Sequence, residues 1–171
     1  HNLPSSKRRL FSRLISSMKY IVAISHGLRD DLLKRGVADD RIIVAADGVD
    51  LTQFGLALSR KEARDKLELP HDKTIVLYTG HLYDWKGVYV LADSSKYLLD
   101  DVEIIFVGGT EPDSKKFESY VTEHRFGNVK HISAQRYSKV PDYLCAADVV
   151  VLPNSGKHRI SRMYTSPIKL F

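Results

Sequence analysis

Residues 74–92 read TIVLYTGHLYDWKGVYVLA, and this stretch decides the fold class. Its first part, Thr74–Tyr78, is a short run of apolar and β-branched residues that does not alternate with polar ones. Such a run is typical of a strand that is covered on both faces. A loop with two glycines follows, and then Val88, Leu91 and Ser95 recur at helical spacing. The order strand, loop, helix is typical of a parallel α/β sheet.

Similar apolar runs recur on both sides of this stretch. They are Tyr20–Ile24, Ile42–Ala46, Val102–Val107, Val129–Ile132 and Val149–Leu152. Helical segments separate most of them, so we predict an α/β fold, a Rossmann-like parallel sheet with helices on both faces. We expect one sheet to contain residues 74–79, 102–107, 129–132 and 148–152, and we expect residues 20–24 and 42–46 to lie outside it.

The segment 47–54 separates two unequal parts of the chain. A single strand-helix-strand pattern precedes it, and about four strand-helix units follow it. We therefore predict that residues 1–46 end one domain, that 47–54 form a linker, and that 55–171 form a second domain. Asp47-Gly48 is also a turn signal, which explains Gly48 without any function.

The two ends of the chain indicate a fragment. The sequence begins with His1, which is not a start residue, and it stops at Phe171. The last residues, from Pro167 onward, have the pattern of the first turn of an apolar helix. We therefore expect a longer natural protein.

The 171 residues carry a net charge of +5, and its distribution is informative. Residues 1–41 hold 9 Lys/Arg and 4 Asp/Glu, whereas residues 42–171 hold 17 of each. A duplex needs a continuous basic face, so this local excess argues against nucleic-acid binding. No apolar run approaches the roughly 18 to 20 residues that cross a bilayer. The single cysteine, Cys145, cannot form an internal disulfide, so we expect a reducing compartment, the cytoplasm.

Much of the basic excess lies in a predicted helix from Lys7 to Lys19. Its apolar residues Leu10, Leu14 and Met18 recur at helical spacing. One interpretation is an amphipathic helix that packs on a sheet. The other is a basic helix that lies on an anionic membrane, as a peripheral contact at the inner face of the plasma membrane. If the helix packs on a domain that this chain lacks, its apolar stripe should be exposed here.

The loop after the strand Thr74–Thr79 carries the first candidate site. In an open parallel sheet, ligands bind beyond the carboxyl ends of the strands. This loop contains Gly80, Lys86 and Gly87, where glycine lets the backbone approach a ligand, lysine supplies a cation, and a helix N-terminus offers N–H groups to an anion. The alternative is that Gly80 makes a tight turn and Lys86 is a solvated charge.

Two further loops follow predicted strands. Gly108 and Gly109 lack the side chains that would block a flat ring, although a plain strand-to-helix turn with Pro112 at the helix start is the favoured explanation. The polar loop from Asn154 to Pro167 is long and basic, which suits either a phosphate clamp or a solvated surface.

Other chemistries find no support in the sequence. The histidines His81, His131 and His158 lack the close spacing of metal ligands, so we predict no metal site. Cys145 lies in an apolar helical pattern and is interpreted as a core residue, not a nucleophile. There is no Gly-x-Ser-x-Gly elbow of a serine hydrolase.

Taken in chain order, six short motifs resemble one known family. They are Ile24-Ser25; Asp47-Gly48-Val49-Asp50 with Phe54; Tyr78-Thr79-Gly80-His81 with Lys86-Gly87-Val88; Phe106-Val107-Gly108-Gly109; Ala146-Ala147-Asp148-Val149 with Leu152-Pro153; and Ser166-Pro167-Ile168-Lys169-Leu170-Phe171. From about Ile21 to Phe171 the chain resembles the C-terminal half of a family-four (group 1) glycosyltransferase. That family has the GT-B architecture, with an N-terminal acceptor-binding domain and a C-terminal domain that binds the nucleotide-sugar donor. The resemblance implies that residues 1–46 end the acceptor domain and that 55–171 form the donor domain, truncated at its C-terminus.

The resemblance also implies roles for the loop residues. Family members usually carry an Arg and a Lys that neutralise the donor diphosphate, and this sequence matches at Lys86 and departs at His81. A neutral imidazole donates one hydrogen bond where arginine offers a fork. Besides these two catalytic candidates, the implied donor-binding residues are Gly80, Gly87, Gly108, Gly109, Ser133, Lys139, Tyr164, Ser166, Ile168 and Lys169.

The family's pair of glutamates, separated by seven residues, is changed here. The second glutamate, which binds the ribose hydroxyls, would follow Phe171, and the first falls at Tyr164. We interpret Tyr164 as a change in sugar recognition and not as a loss of activity.

The implied activity is metal-independent and needs no cofactor. A hexose would pass, with retention of anomeric configuration, from a UDP-, GDP- or ADP-sugar to a glycan or lipid-linked acceptor in polysaccharide biosynthesis. The acceptor would bind through the missing domain, so the chain alone is expected to be inactive. Two alternatives stay open, a GT-B-type sugar-nucleotide 2-epimerase and a non-catalytic nucleotide-binding α/β module.

Overall fold

The computed structural model describes residues 5–55, 58–154, 156–158 and 160–161. The chain divides into two compact units. The first contains the residues up to Gly48 and those from Gly156 onward, and the second contains Val49–Ser155. The domain bounds 1–46, 47–54 and 55–171 stay predictions, because compactness within this stretch does not test the boundaries of a longer protein.

The first unit contains a two-stranded parallel sheet. Its elements are α1 (Ser5–Ser17), β1 (Ile21–Ala23), α2 (His26–Lys34), a 3-10 turn (Asp39–Arg41) and β2 (Ile42–Val44). Ile21 lies opposite Ile42 in the ladder. The buried core residues are Ile15, Ala23, Val37 and Ile42. Val22 and Ile43 alternate to the other face and are exposed. The expectation that both faces are covered is therefore wrong for these strands, since among the described residues the helices cover one face only.

The apolar stripe of α1 is exposed. Leu10, Leu14 and Met18 retain 59%, 49% and 47% of their surface, whereas Ile15 is buried against β1 and β2. The predicted exposure is confirmed.

Two helices begin with side-chain caps whose residues the sequence already places at the helix starts. Ser25 caps α2, where its hydroxyl accepts from the Leu28 N–H at 3.2 Å. Ser59 and Glu62 form a capping box at the start of the next long helix, with reciprocal bonds of 3.3 and 2.8 Å. Each cap satisfies backbone N–H groups that a helix start leaves without a partner.

The second unit is a four-stranded parallel α/β sheet. Its elements are α3 (Leu51–Phe54), α4 (Arg60–Leu67), β3 (Thr74–Thr79), α5 (Val88–Ser94), β4 (Val102–Val107), α6 (Glu111–Glu123), β5 (Val129–Ile132), α7 (Val140–Ala146) and β6 (Val149–Val150), with 3-10 turns at Asp84–Lys86, Ser95–Tyr97 and Tyr137–Lys139. The strand order is β5-β4-β3-β6, and every pair is parallel. The predicted sheet is confirmed, and β1 and β2 lie outside it, as expected.

Alternate residues of the central strands build a core on each face of this sheet. One cluster joins Tyr78 and Phe106 to α5 and α6, and the other joins Leu77 and Ile105 to Leu67 and to α7. Helices therefore cover both faces of β3 and β4, as predicted. The edge strand β6 differs, because Val149 and Val150 are exposed in the part of the chain that the structure describes.

The strand order creates one reversal of direction. From β3 the chain proceeds outward through β4 to β5, and then returns to the other side of β3 as β6. In open parallel sheets the crevice beyond the carboxyl ends at such a reversal is where ligands bind. The loop after β3 and the segment after β6 meet there.

Candidate functional site

Gly87 lies where the loop after β3 packs against the segment after β6. Its φ is 76°, in the left-handed region, and a Cβ at this position would overlap the carbonyl of Pro153, just after β6. Only glycine satisfies both conditions without strain. The Gly87 N–H donates to the Asp84 carbonyl at 2.8 Å, so it is already used within the loop.

The other loop glycines also allow close packing. A Cβ on Gly108 would overlap the Gly80 carbonyl, and one on Gly109 would lie 2.8 Å from both Leu82 and Ser114. Gly80 and Gly108 have φ values of 132° and 128°. The glycine pattern thus places the β3 and β4 loops against each other, and this packing explains it without a ligand.

Lys86 is the cation of this site. Its Nζ lies 4.4 Å from the centroid of the Trp85 ring, and no carboxylate pairs with it among the described residues. The side chain is half-buried, and this burial lowers the pKa of Lys86. A partly desolvated cation without an ion-pair partner is suited to bind an anion.

The structure places His81 on the same loop, with its ring exposed. The imidazole stacks on Tyr83 with centroids 5.0 Å apart, and the His81 carbonyl accepts from the Tyr78 hydroxyl at 2.6 Å. In this extended segment, His81 and Tyr83 lie on one side and Leu82 on the other, buried in the core.

Ser133 and Lys139 follow β5, and both are exposed. The Ser133 carbonyl accepts from the Gln135 side chain at 3.0 Å. The Lys139 Nζ lies 3.8 Å from Asp142, which also pairs with Lys66 at 2.9 Å. The charge of Lys139 is therefore shared within the protein.

His131, considered from the sequence only as a possible metal ligand, contacts the loop after β4. Its Nε2 contacts the Gly108 carbonyl at 2.9 Å, and its Nδ1 contacts Glu118 at 2.7 Å. These contacts connect the loop after β4 to β5 and α6. The position of His131 near the end of a strand beside β4 was the only available signal.

The remaining predicted residues lie outside the described part of the chain. They are Tyr164, Ser166, Ile168 and Lys169. Among the described residues, no group of three histidine, cysteine or carboxylate side chains could hold a metal ion. No described helix is long and apolar enough to cross a membrane.

The sequence profile of the family "Glycosyl transferases group 1" matches residues 59–158, which is more than half of the chain. The chain belongs to this family. This confirms the family that the six motifs indicated, and the α/β parallel sheet agrees with the fold expected of it.

Several curated group 1 glycosyltransferases are similar to the chain. One, named for teichuronic acid biosynthesis in Bacillus subtilis, is 28% identical over 85% of this chain and 35% of its own length. The D-inositol 3-phosphate glycosyltransferase of Xylanimonas cellulosilytica is 29% identical over 85% of this chain and 37% of its own length. The chain spans about a third of the length of these relatives.

Solved structures show the same fold. HepE of Anabaena in complex with UDP gives a TM-score of 0.74 at 18% identity, over 91% of this chain and 44% of that protein. WaaG, a glycosyltransferase involved in lipopolysaccharide biosynthesis, gives a TM-score of 0.66 at 20% identity, over 78% of this chain and 37% of that protein.

Proposed function

We propose that this chain is the donor-binding part of a retaining, metal-independent hexosyltransferase. The protein would transfer a sugar from a UDP-, GDP- or ADP-sugar to a glycan or lipid-linked acceptor. The observation that supports this most is Lys86, a half-buried cation without a carboxylate partner among the described residues, beside the close packing of Gly87 on Pro153 at the carboxyl ends of the strands. Anabaena HepE, which shares the fold, is known in complexes with UDP and with UDP-glucose.

The proposed chemistry follows from charge. Transfer breaks the bond between the sugar C1 and the diphosphate oxygen, and the acceptor hydroxyl oxygen forms a new bond to C1 on the same face while its proton passes to the leaving diphosphate. The diphosphate leaves with the electron pair, so its negative charge grows in the transition state. Lys86 would stabilise that growing charge, which accelerates the reaction because the interaction is stronger in the transition state than with the bound donor.

The test compares two lysines that both lie over an aromatic ring. Lys96 lies 5.0 Å from the centroid of the Phe126 ring but is paired with Asp93 at 3.4 Å. In the complete natural protein, we expect Lys86→Ala to weaken UDP, GDP or ADP binding about ten- to a hundredfold in calorimetry with EDTA present. Lys96→Ala should leave the affinity unchanged. Binding of none of the three nucleotides, a requirement for a divalent metal, or equal effects of the two variants would overturn the proposal.

Activity measurements extend this test to the reaction. We propose that this chain alone transfers no sugar and that the longer natural protein does, with retention of anomeric configuration in the product. Proton NMR of the product gives the anomeric configuration from the coupling constant of the anomeric proton. An inverted product would contradict the retaining assignment, and transfer by the 171 residues alone would contradict their incompleteness.

We further propose that α1 contacts an anionic membrane at the cytoplasmic face. Its exposed residues Leu10, Leu14 and Met18 accompany five basic residues and no acidic one between residues 5 and 19. Such a surface binds anionic lipid through apolar insertion and charge. Cosedimentation of the complete protein should be stronger with phosphatidylglycerol than with phosphatidylcholine vesicles, and should weaken with salt and on Leu14→Ser.

The exposed Leu99 provides the matched control for this experiment, since Leu99→Ser should change nothing. Equal sedimentation with both vesicle types would contradict the membrane contact. The apolar stripe of Leu10, Leu14 and Met18 would then serve only to pack on another domain.

A further inference from the structure

A second cavity lies beside the candidate donor crevice, between the β3–α5 loop, α5 and α6. Its volume is about 310 Å³. Three aromatic rings line it, those of Tyr83, Trp85 and Tyr89, next to the buried side chain of Leu82. Lys86 is not among the lining residues, so this space is distinct from the crevice at the reversal between β3 and β6.

Charged side chains complete the lining of this cavity. They are Asp84, Asp113 and Lys116. The Asp84 carboxylate makes no ion pair or hydrogen bond with the described residues. Asp113 accepts from the Thr110 hydroxyl at 2.5 Å, and the Lys116 Nζ lies 5.6 Å from the centroid of the Tyr89 ring. Two carboxylates face one ammonium group, so the lining carries a net negative charge.

This combination of groups matches the chemistry of a pyranose sugar. A pyranose presents a flat apolar face of C–H groups, which packs on aromatic rings, and a rim of hydroxyls, which donate to carboxylates and accept from lysine. Cavities of this size that combine apolar and aromatic side chains with a few placed polar groups are typical of small-molecule sites. The net negative charge disfavours an acidic sugar.

We propose that this cavity binds a neutral pyranose unit of the acceptor glycan, a unit other than the reacting one, which the acceptor-binding domain would hold. The assignment rests on the proposed function, because a transferase acting on a growing glycan must hold that glycan near the reacting sugar. Trp85 connects the two sites, since its ring lines the cavity and also lies under the Lys86 ammonium group. A bound sugar would therefore hold the loop that positions Lys86.

Trp85 is the only tryptophan among these 171 residues, so its signal is obtained as the difference in tryptophan emission between the complete natural protein and its Trp85→Phe variant. The probe is maltotetraose, a neutral tetrasaccharide, titrated into the complete natural protein. We expect a saturable change in tryptophan emission. Tetragalacturonate, which has the same length but carries carboxylates, should bind at least about fivefold more weakly because of the net negative lining. No saturable change with maltotetraose, or tighter binding of the acidic sugar, would overturn the proposal.

Variants locate the binding. Tyr83→Ala and Asp84→Asn alter exposed side chains, so folding should be preserved, and each should weaken maltotetraose binding at least about fivefold. Tyr97→Ala is the matched control, because Tyr97 is 87% exposed and does not line the cavity. Equal affinity of the variants and the natural protein would refute this site.

A titration at saturating UDP separates this proposal from that of the donor site. An unchanged or tightened maltotetraose midpoint supports a separate cavity, whereas competition would place the sugar in the donor crevice and overturn the inference. A protein that binds maltotetraose in this way but no nucleotide would contradict the donor site and keep the sugar cavity.

Discussion

At the amino ends of the strands, Arg60 and Arg64 both bind the carboxylate of Asp148, whereas at the carboxyl ends Lys86 has no carboxylate partner among the described residues. Asp148 also accepts from the Ile75 N–H at 2.7 Å and thereby connects α4, β3 and the start of β6. A basic cavity of about 530 Å³ opens at this amino-terminal edge.

The basic residues at the two edges of the sheet differ in whether a protein carboxylate holds them. The amino-terminal cavity carries more cations than the Lys86 site, but its two arginines are held by Asp148 and therefore serve the fold. Lys86 is a single cation that pairs with no carboxylate in the part of the chain that the structure describes. The absence of a protein counter-ion, and not the number of cations, distinguishes the candidate ligand site.

The largest expected effect comes from Gly87, at the carboxyl-terminal edge. Gly87→Ala adds left-handed strain and a clash with the Pro153 carbonyl, and should reduce the free energy of unfolding by about 3 kcal/mol. Gly36 also has a left-handed φ, of 84°, but a Cβ there meets no atom within 4 Å, so Gly36→Ala should cost only about 1 kcal/mol. Urea unfolding measures both, and equal losses would show that the contact with Pro153 is unimportant.

The next effect tests the amino-terminal edge. Asp148→Ala leaves the buried Arg64 without its carboxylate and should reduce the free energy of unfolding by about 3 kcal/mol at pH 7. Asp100→Ala, at an exposed aspartate, is the control and should have little effect. UDP affinity, measured on folded protein, should be the same in both variants if this edge serves only the fold.

The pH dependence of Asp148 has a defined sign. Burial alone would raise its pKa, but the Ile75 N–H and the two arginines together lower it below the ordinary value. A lowered pKa in the folded state stabilises the protein above the unfolded pKa of about 4, and this stabilisation is lost as the pH falls through the folded pKa. The difference between natural protein and Asp148→Ala should therefore shrink in acid. A difference that grows in acid would contradict the assignment.

A smaller effect is expected at the cap of α4, the helix that carries both arginines. Ser59→Ala removes the acceptor for the Glu62 N–H and should cost about 1 kcal/mol in thermal or urea unfolding. Ser59→Asp keeps a capping oxygen and should lose less. If the two substitutions cost the same, the side-chain cap does not support this edge of the sheet.

The smallest expected effect concerns the position of His81 at the carboxyl-terminal edge. His81→Arg places a permanent, forked cation on the loop that carries Lys86, and should keep or improve nucleoside diphosphate affinity by a few-fold at most. His124→Arg, on an exposed histidine at the end of α6, is the control. Calorimetric titration distinguishes them, and weaker binding by His81→Arg would mean that this position does not face the diphosphate.

The sequence by itself determined the sheet and its caps. Continuous apolar runs predicted β3, β4 and β5 because strands covered on both faces need no polar residues. Ser59 and Glu62 stand three residues apart, which is the spacing of a capping box and depends on local hydrogen bonding alone. The six motifs in order identified the family, since each reflects a local loop or turn that the sequence encodes directly.

Only the tertiary structure decided which residues meet across the sheet. That Gly87 packs on Pro153, that His131 supports Gly108, and that Asp148 neutralises Arg64 depends on side chains brought together by the strand order β5-β4-β3-β6. The sequence equally could not show that Val149 is exposed, because burial depends on the layer that covers a strand and not on the strand's own residues. Local chemistry is encoded along the chain, whereas the counter-ions and neighbours of a charge are set by contacts between residues far apart in sequence.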